Sequence, residues 1–239
     1  MRILSIGNSF SQDAQRYLNR VAKYNGEDIT SANLYIGGCS LETHCLNITG
    51  DKADYDFQFN GESTGVKVSI RQALENVSWD VVTLQQASNF SADFSTYLPY
   101  IEELANHVRK YCPLAKIYIH ETWAYEDGSE RLREIAKFET SKEMYSFIET
   151  AYQKAREQIN ADGIIPCGRA MLKASELGLK VHRDTFHASF GAGRYLLALT
   201  WLKTFTGKDI SNDVYNDFDE EVTQKERDIV IEAVNFATK

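Results

Sequence analysis

Long apolar runs are missing from this sequence: none approaches the ~18 residues that a bilayer-spanning helix needs, so no membrane partner is expected. Nor does a basic stretch followed by an apolar one open the chain, because strand-like residues begin at Arg2. The expectation is a cytoplasmic protein; an exported form with its leader removed would read identically. Positive charge is also short. Against 34 Asp and Glu stand 26 Lys and Arg, a formal net charge of -8, and a surface that tracks phosphates needs the opposite balance. Nucleic acid is therefore not expected as a partner, and a small neutral or cationic substrate suits the charge better. The four cysteines, Cys39, Cys45, Cys112 and Cys167, are scattered without CxxC spacing, which argues against a disulfide scaffold. Several signatures are absent too. There is no Gly-x-Ser-x-Gly elbow, no P-loop and no zinc-type His/Cys spacing, and no strand precedes the short Gly191-Ala192-Gly193 pattern. No cofactor and no metal are expected.

What is present is enough apolar residue, 43% of the chain with 12% aromatic, for a sizeable core, and 239 residues suit one domain over 1–239. Short apolar runs recur around residues 2–6, 29–36, 79–85, 116–120 and 163–166, separated by segments of helical periodicity. One helix is expected over 12–24, another over 66–76, and others over 97–111, 141–160, 191–205 and 220–237. Five strands alternating with helices predict an α/β fold, a three-layer doubly wound parallel sheet in the flavodoxin-like order 2-1-3-4-5. Two stretches interrupt the alternation, at about 44–65 and 124–140. They read as insertions that shape a pocket, the first with a hairpin turning at Asn60-Gly61.

In such a sheet, ligands bind at the carboxyl edge, where the first strand delivers Gly7-Asn8-Ser9. Ser9 there is either a nucleophile or the N-cap of the next helix. The second strand delivers Gly37-Gly38, the third Gln85-Gln86, and the fourth His120 and Trp123. Far along the chain, Asp184 stands three residues ahead of His187. On a turn, that spacing sets a carboxylate against Nδ1 and leaves Nε2 free to accept a proton. A serine is a weak nucleophile without such a base.

Gly7-Asn8-Ser9-Phe10-Ser11 resembles the first block of the SGNH hydrolases, also called GDSL-like esterases and lipases, with Asn8 in place of their usual Asp. Gly37-Gly38 is similar to their second block and Asp184-x-x-His187 to their last; the string GNSFS, GGCSLETH, LQQAS resembles a bacterial branch whose substrates the motifs do not name. The resemblance implies Ser9 as nucleophile, His187 as general base and Asp184 as its orienter, with the N–H groups of Ser9 and Gly38 as oxyanion donors. One block departs. The family's Gly-x-Asn-Asp after the third strand is replaced by Leu84-Gln85-Gln86-Ala87-Ser88-Asn89, so the third donor is expected to be Gln85, or else Gln86. Asn8, His44 and Trp123 are expected to line the substrate crevice. The polar insertions favour a short acyl group, acetyl above all, on a small-molecule or carbohydrate ester. A protein of this fold that binds a sugar or acyl ligand without catalysis is the competing expectation.

Overall fold

Ile3, Leu4 and Ile6 lie on a strand, β1 (Arg2–Gly7), whose residues are buried from Ile3 onward, as a strand covered by helices on both faces must be. The computed structural model describes all residues 1–239. After β1 come α1 (Ser9–Gln15), α2 (Leu18–Tyr24), β2 (Thr30–Tyr35) and α3 (Leu41–Thr49). Then follow β3 (Tyr55–Phe59), β4 (Glu62–Val68), α4 (Ile70–Asn76), β5 (Val81–Leu84), α5 (Tyr100–Tyr111) and β6 (Lys116–His120). The chain closes with α6 (Ser141–Ile159), β7 (Gly163–Ile165), α7 (Cys167–Glu176), α8 (Ala192–Thr206) and α9 (Gln224–Ala237). No helix is long and apolar enough to cross a membrane.

Five strands run parallel in the order β2-β1-β5-β6-β7, which is the expected 2-1-3-4-5. Alternate residues of these strands feed two cores. Ile3 and Val81 face one with α1, α2, α7, α8 and α9, while Leu4, Ile6, Val82 and Leu84 face the other with α3 to α6. Helix α8 is buried from Tyr195 to Leu202, because α1, α2, α7 and α9 pack around it.

The sheet has seven strands rather than five. The antiparallel hairpin β3–β4 extends it beyond β2. Asn60 and Gly61 carry φ of 50° and 83°, the left-handed pair that a two-residue hairpin turn requires. The outer strand β4 is exposed along nearly its whole length, so its sequence is polar and hides its strand character. Residues 44–65 are thus mostly ordered structure, the end of α3 plus the hairpin. The helix expected over 66–76 begins only at Ile70, where Ser69 and Gln72 form a capping box. The helix expected over 12–24 is divided into α1 and α2 at Arg16 and Tyr17.

Candidate active site

Ser9 is the first residue of α1, and it is Asn8 that caps the helix. The Asn8 side-chain oxygen accepts the Phe10 N–H at 3.0 Å, and the Asn8 amide donates to the Cys39 carbonyl at 3.1 Å. The capping alternative for Ser9 is therefore taken by its neighbour. The Ser9 N–H, at the start of the helix, has no acceptor within it. Gly7 admits this tight strand-to-helix turn, since a Cβ there would collide with Ser11 Oγ.

The turn over 183–188 reaches back across 178 residues to Ser9. His187 Nε2 lies 2.9 Å from Ser9 Oγ, and His187 Nδ1 lies 2.8 Å from Asp184 Oδ2. With Nδ1 donating to the carboxylate, Nε2 is left to accept the serine hydroxyl proton. The other Asp184 oxygen accepts the His187 backbone N–H at 2.8 Å. Partial burial alone would raise the Asp184 carboxyl, but the His187 hydrogen bonds outweigh it and hold the group below the ordinary carboxylate value. Thr185, between them, has φ of 73°, a conformation rare for a β-branched residue that persists only where surroundings enforce it.

Those surroundings are built on α1 itself. Asp13, wholly buried one turn after Ser9, accepts from Arg183 at 2.8 Å, from Arg194 at 2.8 Å and from the Ala188 N–H at 3.2 Å. Arg183 also donates to the Ala188 carbonyl. Both ends of the Asp184–His187 turn are thereby tied to the helix that carries Ser9. Phe190 lies beneath the two guanidinium groups, 4.6 Å from Arg183 and 4.5 Å from Arg194, which adds cation–π attraction to the clamp. On the opposite side the Glu126 N–H donates to Thr185 O at 2.8 Å, and the Trp123 indole donates to Phe186 O at 2.7 Å.

A cavity of about 310 Å³ opens over Ser9 and His187. Gly38 lies on its β2 side with φ of 63° and open space where a Cβ would stand, so its backbone faces the crevice unscreened. Asn8 also lines the cavity. Four other expected residues do not. Gln85 is buried after β5, donating to Asn8 Oδ1 at 2.8 Å and accepting from His120 Nδ1 at 2.8 Å. Burial pulls His120 down to about 3, so it stays neutral and fixes which way the Gln85 amide points. Gln86 is equally buried, its oxygen taken by the Leu41 and Ala87 N–H groups and its amide by Thr96 O. His44 is covered completely, bonded to the Tyr55 hydroxyl at 2.8 Å and pulled down to about 3 by burial. Trp123 is stacked on Phe10 at 4.1 Å beneath the site.

The cavity wall also includes residues that the motif reading passed over. On the β5 side the wall is Ser88 and Asn89. Asn89 is exposed and lies four positions beyond Gln85, in the very string that replaces the family's Gly-x-Asn-Asp, so an asparagine was there to be found. Tyr35, Gln12 and Arg183 complete the polar side; Arg183 directly precedes the Asp184-x-x-His187 motif, while nothing in the sequence context of the other two marks them.

The family model described as a domain of unknown function, DUF4886, matches residues 2–237. A solved DUF4886 family protein from Bacteroides uniformis is 30% identical, with a TM-score of 0.90 over 99% of this chain and 94% of that one. A candidate SGNH hydrolase from Slackia heliotrinireducens is 23% identical, with a TM-score of 0.62 over 86% of this chain and 98% of the other. An acetylxylan esterase from Geobacillus stearothermophilus is 15% identical, with a TM-score of 0.51 over 84% of this chain and 92% of the other. No curated protein matches the chain. The fold is that of the SGNH hydrolases, as the motifs implied.

Proposed function

The chain belongs to the DUF4886 family, and from that premise we propose that it is a serine esterase that removes a small acyl group, acetyl by preference, from a small-molecule or carbohydrate ester. The observation that carries this reading is the unbroken chain of hydrogen bonds from Ser9 Oγ through His187 to Asp184, at 2.9 and 2.8 Å. In it, Ser9 Oγ attacks the ester carbonyl while Nε2 takes its proton, and the Asp184 carboxylate stabilises the imidazolium that forms. His187 returns the proton to the departing alkoxide, leaving the acyl group on Ser9. Water, deprotonated by the same nitrogen, then cleaves the acyl-enzyme.

The negative oxygen of each tetrahedral intermediate needs donors aimed at it. The free N–H of Ser9 and that of Gly38 supply two. The third is assigned to Asn89 rather than to Gln85, whose amide is held by Asn8 and lies away from the cavity. Each such donor contributes roughly 10²–10³ in rate. A small acyl group agrees with the modest cavity over Ser9.

Hydrolysis of p-nitrophenyl acetate by the wild type and by Ser9→Ala tests the reading. Loss of turnover in the variant is the expected result. Equal rates in the two would remove Ser9 from the chemistry and leave the chain as a ligand-binding protein on this fold.

A further inference from the structure

Beside the small cavity over Ser9 lies a larger, mostly apolar groove of about 1010 Å³. The two share a wall: Ser88 and Asn89 face both. Beyond that wall the lining is mostly apolar, chiefly Phe94, Leu98, Ile135, Phe138 and Phe147. Of these, Ile135 and Phe147 are 59% and 52% exposed. Scattered exposed apolar residues need no explanation, but side chains gathered along one groove that opens into a reactive site do. Asp93, the one acidic residue of the lining, is occupied by the Ser95 N–H and hydroxyl, and Lys154, its one cation, lies over the Phe94 ring at 5.8 Å, so the groove offers a ligand mostly apolar surface.

Accepting the esterase reading, we infer that this groove holds an apolar limb, alkyl or aryl, of the alcohol portion of the substrate ester. The side of the site decides which portion it is. Gly38, a donor to the oxyanion, lies at the end of β2, across β1 from the groove. His187, which must protonate the leaving oxygen, sits on a turn tied to the groove's wall. Its turn is held by the stretch that also supplies Ile135 and Phe138: Glu126 N–H bonds Thr185 O, and the Arg131 guanidinium covers the Phe186 ring at 3.9 Å. A leaving alkoxide that faces His187 then departs past Ser88 toward the apolar wall, while Asn89, at the boundary of the two cavities, gives its amide to the oxyanion. The acyl group is left in the small cavity.

The test compares acetates of methanol, butanol and hexanol with methyl esters of acetic, butyric and hexanoic acid, and with tetra-O-acetylxylose, on the wild type and a Phe147→Ser/Ile135→Ser double variant. Both positions are more than half exposed, so folding does not hinge on them. The expected result is a kcat/KM that rises about two- to fourfold per methylene along the alcohol series, the gain that burying each methylene allows. In the double variant, hexyl acetate should lose about tenfold while methyl acetate stays within twofold of wild type. A flat alcohol series, a rise confined to the acyl series, or a preference for the acetylated sugar untouched by the double variant would overturn the inference with the esterase reading intact. Should no ester be cleaved, that reading fails separately, and calorimetric titration with 2-octanone, a ketone that mimics the ester shape, still judges the groove. Heat of binding lost in the double variant sustains the groove as an apolar-limb site, and no heat with the wild type overturns it.

Discussion

Replacing Asp13 by asparagine should injure both stability and catalysis, although residue 13 touches no substrate. The wild-type carboxylate receives donors on both oxygens, with Arg183 and the Ala188 N–H on Oδ2 and Arg194 and Arg183 on Oδ1. An asparagine can present its oxygen to only one set. Its NH₂ group must then oppose a guanidinium or the Ala188 N–H, and the side chain is wholly buried, so water cannot relieve the conflict. Breaking a buried ion pair on one side costs about 3–5 kcal/mol. For a chain of this size that corresponds to a Tm lowered by roughly 6–20 °C, at about 2–4 °C per kcal/mol. The same substitution releases both ends of the turn that holds His187 at 2.9 Å from Ser9 Oγ. A displacement of about 1 Å at such a contact costs on the order of 10² in rate, so kcat should fall 10- to 100-fold with KM little changed. Scanning calorimetry and p-nitrophenyl acetate kinetics well below the new Tm read both effects. Asp217→Asn, which breaks an exposed pair with Arg20, serves as the control and should move neither. An Asp13→Asn protein with wild-type Tm and kcat within twofold would refute the claim that α1 positions the turn.

Asp184→Asn should keep the fold and lower kcat by about 10⁴, because an amide at the Nδ1 contact favours the wrong imidazole tautomer; activity retained within tenfold would contradict its role. Asn89→Ala should cost roughly 10²–10³ in kcat, whereas Gln85→Ala, at a residue that bonds Asn8 and His120 but does not reach the cavity, should cost less. The reverse order in steady-state kinetics would restore Gln85 as the donor. Glu121 supplies a pH test. Burial pushes its carboxyl up to about 8, so between roughly pH 4.5 and pH 8 the folded protein holds a proton that the unfolded chain releases. Stability from this group is therefore lost as pH rises through that window. Glu121→Gln should be increasingly stabilised over wild type from pH 5 to pH 8 in urea melts, and a difference independent of pH would show the carboxyl to be ionised when folded.

The parts of the site legible in the sequence were those set by local spacing. Gly7-Asn8-Ser9 at a strand end and the Asp184-x-x-His187 turn each need only their own few residues to declare themselves, and five apolar strand runs were enough to order the parallel sheet. The direction of a side chain just past a strand was not legible. Every residue of β5 is buried, so no polar alternation shows which way Gln85 and Gln86 turn, and both turn inward to hold loops. His44 and Trp123 were misplaced for a related reason. Both follow glycine-rich or strand-end segments that suggest a crevice, yet α3 carries His44 beneath Tyr55 and the Phe10 ring covers Trp123. The clamp at Asp13 escaped because its partners Arg183 and Arg194 lie 170 and 181 residues away.

The most direct measurement of the central claim is reaction with a fluorophosphonate, which labels only a serine whose hydroxyl is activated, followed by mass spectrometry of the peptides. The account predicts one label, on Ser9, absent from Ser9→Ala and strongly slowed in His187→Ala. A folded wild-type protein that takes up no label, or takes it on another serine, would contradict it.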